Sequence, residues 1–296
     1  MSKNVVIAGA SGFIGSALQA ELKNHGWNIT TLSRGSSRGQ YWDPETFTID
    51  PQILAGQDAV ISLNGAPLAK WPWTHEYKHL IVDSRLKAVK TLADAINLLP
   101  EDERPKVFLT GSAVGYYGSR GNEVLEEDSS PANDFLAGLC QVWEREASKA
   151  NVERVVNIRT GIVIHESGGI LASLKPLFKT MLGGKLSDGR QWMPTISLRD
   201  HVAASRFLLE SNLEGPFNLT GPEPCTNDEF TEATAAYFGR IPGIPAPAGV
   251  LRVLAGDMSV LALSSQYAVP KRLLDAGFTF ADPDIYRQLD SAGTRI

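Results

Sequence analysis

Directly after Met-Ser-Lys-Asn the chain runs through VVIA (5–8) into GASGFIG (9–15), and an amphipathic helical pattern over 13–25 follows without a break. The spacing is G-x-x-G-x-x-G, and each glycine answers a different steric demand. Gly9 permits a sharp turn at the end of a buried strand, Gly12 lets a pyrophosphate approach the backbone, and Gly15 lets the helix pack against the strand. Ser11, Phe13 and Ile14 lie in the same loop and are read as part of the binding segment. The phosphates would sit at a helix N-terminus, where unpaired N–H groups and the helix dipole favour an anion. Strand, glycine loop and helix in this order imply a parallel sheet that binds a dinucleotide.

The rest of the first half keeps the same rhythm. NITTLS (28–33), AVISL (59–63), VFLTG (107–111) and VVNIRTGIVI (155–164) read as buried strands rich in Val, Ile, Leu and Thr. Between them, Ile81, Leu86, Val89, Leu92, Ala93, Ile96 and Leu99 recur at helical spacing, which predicts a helix over 81–99. The alternation predicts an α/β fold, a Rossmann-like doubly wound parallel sheet. After about residue 165 the rhythm changes. Glycine-rich loops (168–169, 183–189) precede a helix at 200–212 capped by Asp200, a strand FNLTG (217–221), and a helix whose Thr226 and Glu229 have capping-box spacing. GRIPGIPAPAG (239–249) reads as a proline-rich connector. The expected organisation is a dinucleotide-binding domain over 1–165 and a smaller, irregular substrate-binding region over 166–296, interleaved with the first.

The second strand ends in LSRGSSRG (32–39). A site for NAD usually places an Asp or Glu here, on the ribose 2′-hydroxyl. This chain offers Ser33, Arg34, Ser36, Ser37 and Arg38 instead. A guanidinium and hydroxyls suit a 2′-phosphate that a carboxylate would repel, so the expected cofactor is NADP(H).

Composition excludes several other classes. A formal net charge of −5 over 296 residues, with scattered Lys and Arg, gives no footprint for nucleic acid or anionic lipid. Two cysteines, Cys140 and Cys225, cannot build a disulfide framework and read as small buried residues of a reduced, cytoplasmic protein. No signal-peptide pattern and no membrane-spanning apolar run is present. None of the five histidines falls in a metal-ligand cluster.

With these residues placed, the chain resembles the extended short-chain dehydrogenase/reductases, in the atypical branch of epimerase family proteins, also labelled nucleoside-diphosphate-sugar epimerases. The marks are GASGFIG, LSR (32–34), SLNGAPL (62–68), SR (84–85), GSAVGYYG (111–118), WE (143–144), RTGIVI (159–164), GGKLSDGRQW (183–192), GPFNLTGPEPCTNDEF (215–230) and PKRLLDAGF (270–278). The resemblance implies cofactor contacts at Leu63, Asn64 and Gly65 after the third strand, at Arg85 from the following helix, and at Ile164 on the nicotinamide side. Arg85 reads equally well as a helix-surface arginine. A small-molecule substrate, polar and of the sugar-derived kind, is implied, and a homodimer is left open.

In the wider superfamily a Ser or Thr, a Tyr, and a Lys four residues after that Tyr assist hydride transfer. The lysine sits one helical turn from the tyrosine and lowers its pKa from ~10. In ANDFLAGLCQVWEREA (132–147) those positions hold Phe135 and Leu139, or Leu136 and Cys140 one register on. The one literal Tyr-x-x-x-Lys, Tyr267 to Lys271, contains Pro270 and reads as chance. The remaining candidates are Ser112, at the carboxyl end of the fourth strand, with Tyr116 and Tyr117 either as proton donors or as amphipathic wall residues. Lys185, Arg190, Gln191 and Trp192, on a glycine-punctuated loop, are candidate substrate contacts. Two functions remain open: an NADP(H)-dependent oxidoreductase or epimerase-like enzyme, and a non-catalytic NADP(H) sensor.

Overall fold

A computed structural model describes residues 3–35 and 39–294, so Ser36, Ser37 and Arg38 of the expected 2′-phosphate loop lie outside the described residues. The first half contributes β1 (Lys3–Ala8), α1 (Phe13–Asn24), β2 (Trp27–Ser33), β3 (Gln40–Asp43), β4 (Thr48–Ile49), β5 (Ala59–Ser62), α2 (His75–Leu98), β6 (Val107–Ala113), β7 (Val124–Leu125), α3 (Phe135–Ala147) and β8 (Arg154–Thr160). Then follow β9 (Ile162–His165), α4 (Gly169–Lys179), β10 (Trp192–Met193), β11 (Thr195–Ser197), α5 (Leu198–Glu210), β12 (Gly215–Leu219), β13 (Cys225–Thr226), α6 (Asn227–Tyr237), α7 (Ala248–Ala255), α8 (Val260–Leu263), β14 (Tyr267–Ala268), α9 (Lys271–Asp275) and α10 (Ile285–Asp290).

Eight strands form one sheet in the order β12-β8-β6-β5-β1-β2-β3-β4. Every neighbouring pair is parallel except β3 with β4. Its order reverses beside β1, which puts the glycine loop at a topological switch point where such sheets bind ligands. Successive side chains on a strand point to opposite faces, and both faces here are covered. Val5, Ile7, Ile61, Leu109 and Ile158 pack with Leu18, Leu22, Val202 and Leu208 of α1 and α5. Val6, Val60 and Phe108 pack with Val89, Leu92, Ile96 and Trp143 of α2 and α3. Each fully buried aliphatic side chain in these layers contributes about 1.5–3 kcal/mol.

The elements depart from the sequence expectations in ways that have local causes. Helix α2 begins at His75, not residue 81, because Thr74 caps it by accepting the N–H of Tyr77, and its first turns are mostly exposed and so lack apolar periodicity. The run 155–164 is two strands, not one. At Gly161 a side chain would lie 2.2 Å from the Pro194 carbonyl, and beyond that point β9 leaves the sheet to pair with β11. Asp200 does not cap α5; Ser197 does, accepting the N–H of Asp200. The buried Asp200 carboxylate instead accepts the N–H groups of Ala281 and Asp282 and ties down the last segment.

The capping box of Thr226 and Glu229 is formed as expected. The second half is threaded into the first, since β12 extends the large sheet and β14 pairs with β7. Among the described residues, no helix is long and apolar enough to cross a membrane, and no group of His, Cys, Asp and Glu could hold a metal ion.

Candidate cofactor and substrate site

The glycine loop is built as its spacing requires. Gly9 has φ +85°, and a side chain there would stand 2.8 Å from the Leu63 carbonyl carbon; one on Gly15 would stand 2.2 Å from the Gly9 oxygen. Gly12 precedes α1, and no side chain caps that helix. The N–H groups of its first turn therefore remain for an anion. Gly9, Gly12, Phe13, Ile14 and Gly15 line a cavity of about 1020 Å³ that extends between the sheet and the second half. Ser11 is exposed on the loop and is not among the lining residues. Ser33 and Arg34 stand at the end of β2, with Arg34 exposed and the Ser33 hydroxyl accepting the N–H of Gly35 at 3.2 Å.

At the end of β5, Leu63, Asn64 and Gly65 line the same cavity. The buried Asn64 Oδ1 has no hydrogen-bond partner, so an acceptor is available there for a ligand hydroxyl. Arg85 reaches in from α2 against Gly65, donates to the carbonyls of Ala66 and Ile81 at 3.2 and 2.9 Å, and lies over the Trp143 ring. Its neighbours are carbonyls and no carboxylate, and burial lowers its pKa.

Ser112 lies at the end of β6 on the cavity wall, 5% exposed. Its hydroxyl donates to Glu144 Oε1 at 2.6 Å. Behind it, Arg159 grips the same carboxylate at both oxygens, 2.8 and 2.9 Å away, and donates to the Tyr117 hydroxyl and the Glu127 carbonyl, both at 2.9 Å. Tyr117 in turn donates to Asn218 Oδ1 on β12 at 2.7 Å. Burial opposes the charge on Arg159, but its bonds to Glu144 and Tyr117 more than offset this and raise its pKa.

Neither tyrosine reaches the cavity. Tyr117 is fully buried, and burial, only partly countered by Arg159, pushes its hydroxyl up to about 12. Tyr116 lies with its ring centroid 3.6 Å from the Arg159 guanidinium carbon, and it too is absent from the lining. Helix α3 presents Leu136, Leu139, Cys140 and Trp143 to the cavity, while Phe135 packs on Trp73. Burial pushes the Cys140 thiol up to about 11, which keeps it protonated at neutral pH. Tyr267 and Lys271 share no helix; Tyr267 stacks on Trp192 and Lys271 pairs with Asp275.

In the second half, Gln191 and Trp192 line the cavity, whereas Lys185 and Arg190 do not. Lys185 pairs with Asp228 at 3.2 Å, and Arg190 is exposed. Ile164 is buried with Leu171, Met193 and Phe230, and its neighbour Ile162 takes the place on the wall. At the cavity's edge the loop after β5 meets α7, where Trp71 Nε1 donates to the Leu254 carbonyl at 3.1 Å, and beside it Lys78 of α2 pairs at 2.5 Å with Asp257 in the turn that follows α7.

Residue types alone did not single out Glu144, Arg159, Glu127 or Asn218. One signal was present. An arginine inside the apolar run VVNIRTGIVI, two residues after Asn157, marks a buried polar face that needs an acid from elsewhere.

An uncapped helix behind a glycine cradle, at the switch point of a doubly wound sheet, defines a dinucleotide-binding α/β protein. The family model described as NAD dependent epimerase/dehydratase family matches residues 5–220, and one described as a domain of unknown function (DUF1731) matches residues 246–292. The chain is 38% identical over 298 residues to Epimerase family protein Mb2239 of Mycobacterium bovis, covering 98% of each chain. It is 31% identical over 290 residues to Epimerase family protein SDR39U1 of Homo sapiens, covering 95% of this chain and 96% of that one. A crystal structure of human SDR39U1 (isoform2) with NADPH superposes with a TM-score of 0.90 at 29% identity, covering 99% of this chain and 100% of that one. The chain belongs to the NAD dependent epimerase/dehydratase family.

Proposed function

We propose that the protein is an NADP(H)-dependent oxidoreductase of the atypical extended short-chain type, acting on a small molecule whose reacting oxygen is held by Ser112. The observation that carries this reading is the placement of the glycine cradle and Ser112 on the wall of one cavity. The residues present fit the cofactor: Gly9 and Gly15 leave no room for a side chain against the neighbouring backbone and so keep the loop tight before the uncapped helix, and the orphaned Asn64 Oδ1 awaits a donor such as a ribose hydroxyl. The relative crystallised with NADPH supports the same cofactor, as do Ser33 and Arg34 at the end of β2 in place of an acid.

When bound, NADP(H) supplies or takes the hydride. The protein's part is to hold the cofactor phosphates on the first turn of α1, exclude water with apolar walls, and fix the substrate oxygen. The Ser112 hydroxyl donates to Glu144, which leaves its oxygen, on the cavity wall, to accept from a substrate hydroxyl. Glu144 is a positioning residue here, and Arg159 anchors it. Tyr117 serves this reading as the far support of Arg159, not as the proton donor.

A non-catalytic NADP(H) sensor is the second reading, favoured by the absence of a Tyr or Lys on α3 and by the protonated Cys140 thiol. Turnover separates the two. Ser112→Ala should reduce turnover by about 10²-fold or more while leaving NADPH affinity within about twofold. Tight NADPH binding without turnover over a broad carbonyl and alcohol panel would replace the enzyme reading with the sensor.

A further inference from the structure

Beyond the cofactor cradle, the cavity continues into a chamber walled by Leu174, Phe178, Phe230, Ile244, Leu251 and Met258. Among the described residues that line the cavity, Arg85 is the one charged side chain, and it stands against Gly65 on the cradle side. The two cations that the sequence offered for an anionic substrate are spent elsewhere, Lys185 on Asp228 and Arg190 toward solvent. A helix N-terminus could stand in for a cation, but α6 carries a complete capping box with Asp228 and Glu229 in its first turn. That end of the helix repels an anion.

We infer that this chamber takes an uncharged, lipophilic ketone, aldehyde or alcohol and not a nucleoside-diphosphate sugar; the inference rests on the oxidoreductase reading and names its substrate class. A diphosphate carried into the chamber would lose its hydration with no cationic side chain on the chamber walls to replace it, which is costly for a buried charge. Hydrocarbon gains from the same walls. The rim points the same way, since Leu182 and Ile244 line the cavity and are 65% and 81% exposed, an apolar doorstep at its mouth.

Polar anchoring is sparse and specific. Besides Ser112, the uncharged polar side chains on the lining include Thr160, Gln191, Ser259, Ser264 and Gln266, and Gln191 Nε2 donates to the carbonyls of Leu186 and Ala262, both at 3.1 Å. Its Oε1 is buried without a partner. That atom accepts one hydroxyl or N–H from a ligand that is otherwise apolar. Asn227 adds nothing, because its oxygen already accepts the Leu186 N–H and its amide nitrogen donates to Met193.

In the reductive direction the carbonyl carbon gains a hydride from NADPH, and the former π pair stays on oxygen. That oxygen takes a proton from solvent water at the open mouth of the cavity, the hydroxide passing to bulk buffer, and NADP⁺ is the second product.

The test uses the full chain loaded with NADPH, with menthone and citral as neutral probes and UDP-glucose as the anionic comparison. Binding is read by calorimetry and by quenching of tryptophan fluorescence, since Trp143 and Trp192 line the cavity; turnover is read from NADPH absorbance. The expected result is binding of menthone or citral at least tenfold tighter than UDP-glucose. That binding should fall at least tenfold in Leu251→Glu, on the half-exposed face of α7, with NADPH affinity unchanged. Ile244→Glu, on the exposed rim, is the second variant should Leu251→Glu fail to fold. Binding of a neutral probe without NADPH consumption supports the ligand class and overturns the oxidoreductase reading. Tighter binding of UDP-glucose, no binding of either neutral probe, or equal binding in both variants overturns the ligand class.

Discussion

Removing the Glu144 carboxylate tests the buried frame behind Ser112. Arg159 is 3% exposed and its partner Glu144 13%, so both lie where solvent screening is weak. In Glu144→Ala the guanidinium loses two charge-assisted bonds of 2.8 and 2.9 Å, and Ser112 loses its 2.6 Å acceptor. Breaking a buried pair from one side costs about 3–5 kcal/mol, because the remaining charge stays desolvated. The remaining bonds of Arg159 to Tyr117 and Glu127 place the cost near the lower end. At about 2–4 °C per kcal/mol for a chain of this size, the melting temperature should drop by about 6–12 °C. Scanning calorimetry without NADPH is the assay, so that ligand binding does not mask the loss. The double variant Glu144→Leu with Arg159→Met should recover at least half of the drop, since an apolar pair leaves no buried charge. A drop below about 2 °C in the single variant, or a double variant as unstable as the sum of its parts, would refute the idea that this ion pair carries the frame.

Other substitutions probe other parts of the site. Gly15→Ala places a side chain 2.2 Å from the Gly9 oxygen and should weaken NADPH at least tenfold by calorimetry; unchanged affinity would remove the cradle from the cofactor site. Arg34→Asp should weaken NADPH more than NADH, and equal losses would mean that Arg34 does not read the 2′-phosphate. Tyr117→Phe should cost about 1–3 kcal/mol in stability through the orphaned Asn218 and Arg159. Its pH–rate profile should keep its shape, because burial holds the native hydroxyl up near 12. His201 is fully buried, and burial lowers its pKa from 6.5 to about 4. Within that window the unfolded chain binds a proton that the folded one does not, so stability falls as pH falls, by up to roughly 3 kcal/mol. In His201→Asn the loss of melting temperature between pH 7 and pH 4 should be shallower; a parallel loss would show that His201 is not the group responsible.

Where function depends on local backbone geometry, the sequence was legible. The glycine loop, the parallel strands around it and the capping box of Thr226 and Glu229 are set by spacing within a few residues, and each stands in the structure. What escaped was long-range. Glu144 meets Arg159 across 15 residues and Tyr117 meets Asn218 across 101, and no periodicity encodes such a meeting. The tyrosines looked exposed to a pocket because Tyr-Tyr-Gly follows a strand end, but a short 3₁₀ turn at Val114–Tyr117 carries both toward Arg159. Asp200 looked like a cap because it precedes a helical run, while Ser197 three residues earlier already filled that office and freed Asp200 for residues 281 and 282. Ile164 left the wall because the kink at Gly161 redirects the strand that carries it.

The placement of β12 at the edge of the main sheet bears on how the molecule is made. While the chain emerges from the ribosome, everything up to Thr160 is already outside before Gly215–Leu219 appears. Until then β8 is a bare edge, and both the Tyr117 hydroxyl and the buried Glu127 carboxylate lack their Asn218 partner. The nascent first half is therefore an unfinished sheet with a charged interior, exposed to pairing with a neighbouring chain. Arrest of synthesis after residue 165 should yield a chaperone-bound or aggregating product, whereas arrest beyond residue 220 should yield one that resists protease along β6 and β8.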